Sequence, residues 1–371
     1  MLNGVLVCEG EGLTKNIGDH IQSIAAAQFL DKIDDYVERE KLNTYDRHKD
    51  IRVVMNAWYM HNPKNFPPSN NIKPLLTSVH IVPTIAEQML TKASIEYFKK
   101  HEPIGCRDIA TQKLLASKGI ESYFSACLTL TLGYGYKQYK SSSPTRVLFV
   151  DPYFETFRDS EGKISVIQIL NSFIGLIKHR NKIKKLNNNA FFESDVHSKL
   201  YKKEKTLKEK FKRRLRISSF YQAYSSIFDD DVLFGAEFIS HQIIQSDYPS
   251  NDLKMQLAED LMKKYADSKL VVTSRIHTAL PCIAVETPTI FVNSQNLSSS
   301  TNPIRSPGRF GGLIELLNVA TYFSDKGGKI VFNQVKDKID KNTVIVNKET
   351  YKEFSKKLQQ DVQEFFQAKK A

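Results

Sequence analysis

Apolar positions along the chain follow two alternating rhythms: short β-branched runs, and longer segments at helical spacing. In the first part, residues 4–7, 51–55 and 79–82 read as strands. Residues 21–30 place Ile21, Ile24, Ala25 and Phe29 on one helical face, and residues 85–100 and 109–117 read as further helices. Asn16-Ile17-Gly18-Asp19 is predicted to turn, Asp108 to cap the helix that starts at Ile109, and Gly119 to stop it. The second part repeats the rhythm. It has a strand over 146–150, a helix over 166–177, a strand around 232–239 and a helix over 253–265. A last apolar stripe at Tyr351, Phe354, Leu358, Val362 and Phe365 predicts a C-terminal helix that returns to the first part.

Strands alternating with helices predict an α/β fold with mostly parallel sheets covered on both faces. At 371 residues the chain is long enough for two domains. The linker-like run Lys140-Ser141-Ser142-Ser143-Pro144 places a boundary between 1–140 and 145–345, with 346–371 as the closing helix. No apolar run of about 18 residues exists, and the first residues lack a basic leader, so the expectation is a cytoplasmic protein. Cys8, Cys106, Cys127 and Cys282 are scattered and read as buried free thiols. Asp229-Asp230-Asp231 precedes a predicted strand, so it reads as a solvated turn, and no metal is expected.

Net charge is +12, but the excess is local. Between Lys178 and Arg216 stand fifteen Lys/Arg against four Asp/Glu. Within an insertion over 187–216, Leu200, Leu207, Phe211 and Leu215 form an apolar stripe with Lys/Arg on the other faces. This basic helix, 199–216, is either a solvated surface helix or one that lies on an anionic membrane and brings the enzyme to a lipid-linked substrate. No nucleic-acid module accompanies the charge, and nucleic acid is not expected as a partner.

The densest chemical signal is residues 269–292, KLVVTSRIHTALPCIAVETPTIFV. An apolar run stops at Thr273-Ser274, a short helix follows at once, and a second apolar run starts after Pro288. That is a parallel strand–helix–strand unit with Arg275 and His277 at the mouth of its turn. In a doubly wound sheet this mouth lies at the carboxyl end of the strand, where ligands bind. The helix start adds N–H groups and a positive dipole end suited to an anion. A fixed cation beside a titratable base points to an enzyme that handles a phosphorylated donor. His241 sits at a second carboxyl edge, and Arg305 and Arg309 lie in the Ser/Asn/Pro/Gly-rich segment 293–312, which is able to close over a donor.

Two α/β domains facing across a cleft resemble the GT-B architecture of many glycosyl-transferring enzymes. NIGDHIQSIAAAQFL (16–30), IGCRDIATQKLLASKGI (104–120) and VVTSRIHTALPCIAVETPTIFV (271–292) together resemble the polysaccharide pyruvyl transferase family. The anchors are an early Gly-Asp, a mid-chain Arg-Asp followed by Thr, and a late Ser-Arg-x-His-x-x-x-Pro. The resemblance implies transfer of pyruvate from phosphoenolpyruvate to two hydroxyls of a sugar as a cyclic ketal, with no further cofactor. It implies His277 as the acid/base; by their own positions Arg275, Ser274, Ile276, Thr278, His241, Arg305 and Arg309 are the candidates for the donor side. Asn16, Gly18, Asp19, His20, Arg107 and Asp108 then form the acceptor side, although Asp19 and Asp108 are also suited to helix capping. Glu286 departs from the pattern, since members often carry Gly before the Thr-Pro. Two other readings stand beside this one: a glycosyltransferase holding a nucleotide-sugar diphosphate in the same turn, and a non-catalytic basic module for glycan or membrane.

Overall fold

The computed structural model describes residues 1–9, 16–46, 48–59, 61–155, 165–188, 206–243, 247–294, 308–324 and 327–368. The first part carries β1 (Leu2–Val7), β2 (Asp35–Glu38), β3 (Ile51–Val54), β4 (Trp58–Tyr59), β5 (Ile72–Leu75), β6 (His80–Ile81), β7 (Ile104–Cys106) and β8 (Ser122–Phe124). Four of them form a parallel sheet in the order β2-β1-β3-β5. The pairs β4-β6 and β7-β8 are also parallel, and β7 is tied on through Gly105 N–H to the Leu76 carbonyl at 3.0 Å. The second part carries β9 (Arg146–Val150), β10 (Glu237–Ile239), β11 (Ser268–Thr273), β12 (Thr289–Ser294), β13 (Asn318–Phe323) and β14 (Lys329–Val331). They form one sheet in the order β10-β9-β11-β12-β13-β14, parallel except for the last pair. The expected α/β fold with parallel sheets is therefore present. Its central strands are continuous apolar runs because helices bury both faces.

The two sheets share one apolar cluster: Val5, Ile21 and Ile24 from the first part lie with Leu148, Val150 and Tyr265 from the second. Leu358 and Val362 of the last helix, Tyr351–Gln367, join that cluster. Its Ser355 hydroxyl donates to the Leu130 carbonyl at 2.8 Å, and Arg52 Nη1 donates to the Phe366 carbonyl at 2.5 Å. The closing helix thus packs back on residues of the first part, as its apolar stripe predicts.

Several expectations need correction. The helix expected from residue 21 starts at Gly18 and ends at Ala27, so Asp19 and His20 occupy its first turn. The helix expected over 85–100 is two helices, Ala86–Met89 and Lys92–Lys100. Leu90 leaves helical geometry, and the Thr91 side chain accepts from Ser94 N–H to cap the second piece. The strand expected around 232–239 is a helix, Asp230–Gly235, followed by β10. The acidic triplet stands at that helix start, where carboxylates suit the dipole, and Asp230 is held by Lys182 at 2.8 Å and by the Tyr221 hydroxyl. Gly119 does end the helix Ile109–Ser117, at φ +69°. Strands β2, β5, β7 and β8 carry no pattern strong enough to be read beforehand.

Candidate active site

β11 delivers Thr273 and Ser274 to the carboxyl edge of the second sheet, and the helix Ile276–Ala284 leaves from Arg275. Every residue of that helix is buried, so its position is fixed by packing on all sides. The turn is stitched by its own hydroxyls. Thr273 Oγ1 donates to the Val150 carbonyl at 2.8 Å and accepts from Arg275 N–H at 2.9 Å. Ser274 Oγ donates to the Val292 carbonyl and accepts from Tyr153 N–H. Ser274 therefore ties three loops together.

The spacing His-x-x-x-Pro has a direct physical meaning here. Pro281 has no N–H to offer the carbonyl four residues earlier, and its ring crowds that carbonyl, which belongs to His277. His277 accordingly leaves helical geometry, with φ −81° and ψ 17°. Among the described residues no side chain caps this helix start, so the N–H groups at Ile276 and His277 carry the positive end of the helix dipole. The Ile276 side chain is not in the mouth; it lies in a core cluster with Leu280, Ile283 and Phe291.

Arg275 is about a third exposed and is aimed by Asp151, whose Oδ2 accepts from Nε at 2.9 Å. Asp151 also accepts from His241 N–H at 3.0 Å, so it couples the ends of β9 and β10 to the Arg275 turn. His241 is buried, and its Nε2 lies 2.9 Å from Thr278 Oγ1 and 2.8 Å from the Tyr265 hydroxyl. Burial pushes its pKa down to about 4, so the ring is neutral. Its carbonyl accepts from Ile17 N–H at 2.8 Å, and Asn16 bridges to Gln242. A side chain at Gly18 would sit 3.3 Å from the His241 ring, so this contact between the two parts admits only glycine comfortably. The early Gly-Asp loop and the late Ser-Arg-x-His turn are thus brought to one place.

Arg107 and Arg309 arrive from opposite sides. Arg107 is only 1% exposed and follows β7. The 308–313 segment docks on the helix that Asp108 opens, with Ile109 N–H donating to the Gly311 carbonyl at 3.1 Å. Arg309 lies with its guanidinium 5.3 Å from the Phe310 ring centre. Burial, then Arg107 and Arg275, push its pKa down to about 9. None of the three Arg107 guanidinium nitrogens has a hydrogen-bond partner among the described residues; Nε lies 3.8 Å from Asp108 Oδ2. His277 stands in the field of both arginines. Burial first, and then Arg107 and Arg309, hold it well below its ordinary value, and its buried Nε2 has no hydrogen-bond partner among the described residues.

The carboxylates around this cluster are already engaged. Asp108 caps its helix through Thr111 N–H and lies 2.5 Å from His80 Nδ1. Burial alone would raise the Asp108 carboxyl, but His80, Arg107 and the Thr111 N–H hold it below its usual range. Asp108 is therefore a helix cap and the partner of a buried histidine. Asp19 lies 3.9 Å from Arg39 Nη1 and accepts weakly from Gln22. His20 is fully buried, with Nε2 3.3 Å from Asn251 Oδ1, and burial lowers its pKa to about 4. A small hollow at the carboxyl edge of β1 is lined by Asp19, Gln22, Arg39 and Asn56.

The family model for polysaccharide pyruvyl transferase matches residues 16–296, which spans the early loop, Arg107-Asp108 and the Arg275–His277 turn. The chain belongs to the polysaccharide pyruvyl transferase family. It is accordingly a transferase of polysaccharide biosynthesis. No curated protein and no solved structure matches the chain.

In this pyruvyl transferase the anticipated residues Asn16, Gly18, Arg107, His241, Arg275, His277, Thr278 and Arg309 come together. Arg305 lies outside the described residues. Asp151, Arg39 and His80 were not singled out by sequence. Asp151 was detectable as the first residue after an apolar strand, whereas Arg39 follows β2, which has no clear strand pattern. Glu286 has φ +60°, the left-handed region that favours glycine. That explains the usual Gly there; in this chain Lys137 reaches the Glu286 carboxylate at 2.6 Å and Lys140 its carbonyl at 2.9 Å.

Proposed function

We propose that this cleft transfers pyruvate from phosphoenolpyruvate to two hydroxyls of a sugar, forming a cyclic ketal and releasing phosphate. The observation that supports it best is Arg107, a buried guanidinium that makes no hydrogen bond among the described residues, held near Arg309 and His277. The carboxylate contact of Arg107, Asp108 at 3.8 Å, is shared with His80 and the Thr111 N–H, so the guanidinium N–H groups stay favourable for a further anion. Phosphoenolpyruvate brings two anionic groups, and planar guanidinium forks suit both phosphate and carboxylate. Arg275, Arg107 and Arg309 then bind the donor, with the N–H groups at Ile276 and His277 on its phosphate.

The reaction moves two protons. A sugar hydroxyl adds to the substituted carbon of the enol as its methylene carbon gains a proton. The second hydroxyl then displaces phosphate from that same carbon and loses its own proton. A neutral His277 is suited to accept the hydroxyl proton and to deliver one to the methylene. Donor anions beside it raise its proton affinity, which makes the return step possible. Asp19, His20 and Asn16 stand on the acceptor side, and the two parallel sheets facing across the cleft form a GT-B-like arrangement. The acceptor is a glycan or a lipid-linked sugar.

A donor screen tests this reading. Phosphoenolpyruvate at about 100 times its Kd should stabilise the protein by about 2.7 kcal/mol, while nucleoside diphosphates should not. Product mass must rise by a ketal pyruvate. Stabilisation by a nucleoside diphosphate, with an added sugar in the product, would replace the proposal with glycosyl transfer.

A further inference from the structure

We propose that the helix Val166–Lys178, together with the cationic helices on its C-terminal side, docks on the surface of an anionic lipid bilayer. Unlike an ordinary surface helix, it turns most of its large apolar side chains outward. Its inward face carries Gln168, Ser172 and Gly175, with Leu176 the apolar side chain that packs on the core. Gln168 Nε2 donates to Glu155 at 2.7 Å, and Ser172 Oγ lies 2.6 Å from Ser219 Oγ. Gly175 lets the neighbouring helix, Leu207–Tyr224, approach so closely that a methyl group would strike Gln222 and Ser218. The outward face carries Val166, Ile167, Leu170, Phe173, Ile174 and Ile177, each between 44% and 75% exposed. These six recur at helical spacing, so they form one continuous stripe.

Charge says what covers the stripe. Asn171, Ser172 and Gly175 meet Gln222, Ser219 and Ser218, so the two helices run antiparallel. The first turns of Leu207–Tyr224 therefore project beyond Lys178, alongside the helix Arg180–Asn188. Over the described residues 178–188 and 206–216 there are eleven Lys/Arg against the single acid Glu209. Leu207, 84% exposed, and Phe211, 46% exposed, lie among these cations. An apolar stripe ending in a cationic cluster matches the boundary between acyl chains and anionic headgroups. A second copy of the same face would bring like charges together, which opposes self-association. No described helix is long and apolar enough to cross a membrane, so the contact is with the surface.

The location links the contact to the cleft. The loop before the helix carries Tyr153, whose N–H donates to Ser274 Oγ beside Arg275. A docked helix would hold the cleft near the bilayer, within reach of an acceptor anchored there. The inference does not depend on which donor the cleft takes.

Sedimentation with vesicles tests it. The full chain should bind phosphatidylcholine vesicles containing phosphatidylglycerol and leave pure phosphatidylcholine vesicles in solution at moderate salt. The pair Ile167→Glu and Ile174→Glu, both at exposed positions, should weaken binding at least tenfold without changing thermal stability. Lys208→Glu with Lys212→Glu should weaken it about fivefold per residue at low salt. Three outcomes would overturn the proposal. They are wild-type protein that fails to bind the anionic vesicles, Ile→Glu variants that bind like wild type, and light scattering that shows a dimer split by those variants in the absence of vesicle binding.

Discussion

The arginines of the cleft and the lysines of the helix pair around 178–216 carry the same charge in opposite surroundings. Arg107 is 1% exposed, whereas Lys182, Lys184 and Lys208 stand in solvent. Among buried groups the effective dielectric is low, so Arg107 and Arg309 act strongly on the buried His277. On the surface each cation acts weakly, is screened by salt, and matters only when many meet an extended anionic partner. The sequence displays the second set plainly as a run of basic residues. The first set comes from three segments that are about 170 to 200 residues apart at their extremes, so only folding assembles it.

The sharpest way to break this comparison is to remove the base. His277→Ala should lower turnover by about 10²–10⁴-fold while phosphoenolpyruvate still raises the melting temperature. Turnover within tenfold of wild type would mean that His277 is not the proton carrier. Removing a cleft cation comes next. Arg107→Ala should weaken donor binding by about 2–4 kcal/mol, read by calorimetry. The same variant should cost the free protein little stability, because losing the 3.8 Å contact with Asp108 is offset by removing a buried charge whose nitrogens make no hydrogen bond among the described residues. A large loss of stability would mark Arg107 as structural.

Acid should separate the two regions. Burial pushes His20, His80 and His241 to about 4, with His277 also held well below its ordinary value. In the unfolded chain these groups take up protons near pH 6.5, so unfolding binds protons as pH falls below that point. Their neutrality supports the fold fully above about pH 6.5 and progressively less down to about 4, at about 1.4 kcal/mol per histidine per pH unit. The urea midpoint should therefore fall between about pH 6.5 and 5, and a flat profile would contradict the buried neutral histidines. Vesicle binding through lysines should not weaken over the same window. The smallest effect is expected at Glu286→Gly, where relief at φ +60° offsets the lost carboxylate contact with Lys137, while the Lys140 contact to the backbone carbonyl is kept. Its stability should stay within about 1 kcal/mol of wild type by thermal denaturation.

Much of the site is written in local signals. Thr273 to Pro288 shows a strand, a sharp turn and a helix start, and the His277–Pro281 spacing sets the local geometry with no help from the rest of the chain. Asp108 announces its cap by the Asp-x-x-Thr spacing, which the structure repeats atom for atom. Asp151 and Arg39 were harder to find because their roles depend on partners 124 and 20 residues away, Arg275 and Asp19. The apolar face of Val166–Lys178 was visible only as a helix. Which side faced the core was undecided, since the buried side carries Ser172, Gly175 and Leu176 while most of the large apolar residues face out.

Sequence alone therefore determined the alternation of strands and helices, the strand-to-helix turn at Arg275 and His277, and the concentration of charge after Lys178. Periodicity, capping and proline geometry act over a few residues, so a single chain read in order suffices for them. Tertiary structure alone decided that Arg107 and Arg309 converge on His277, that His241 supports Thr278 from beneath, and that an apolar helix face is turned outward. Those outcomes depend on burial and on contacts between distant segments, and it is burial that gives a cation or a histidine its unusual chemistry.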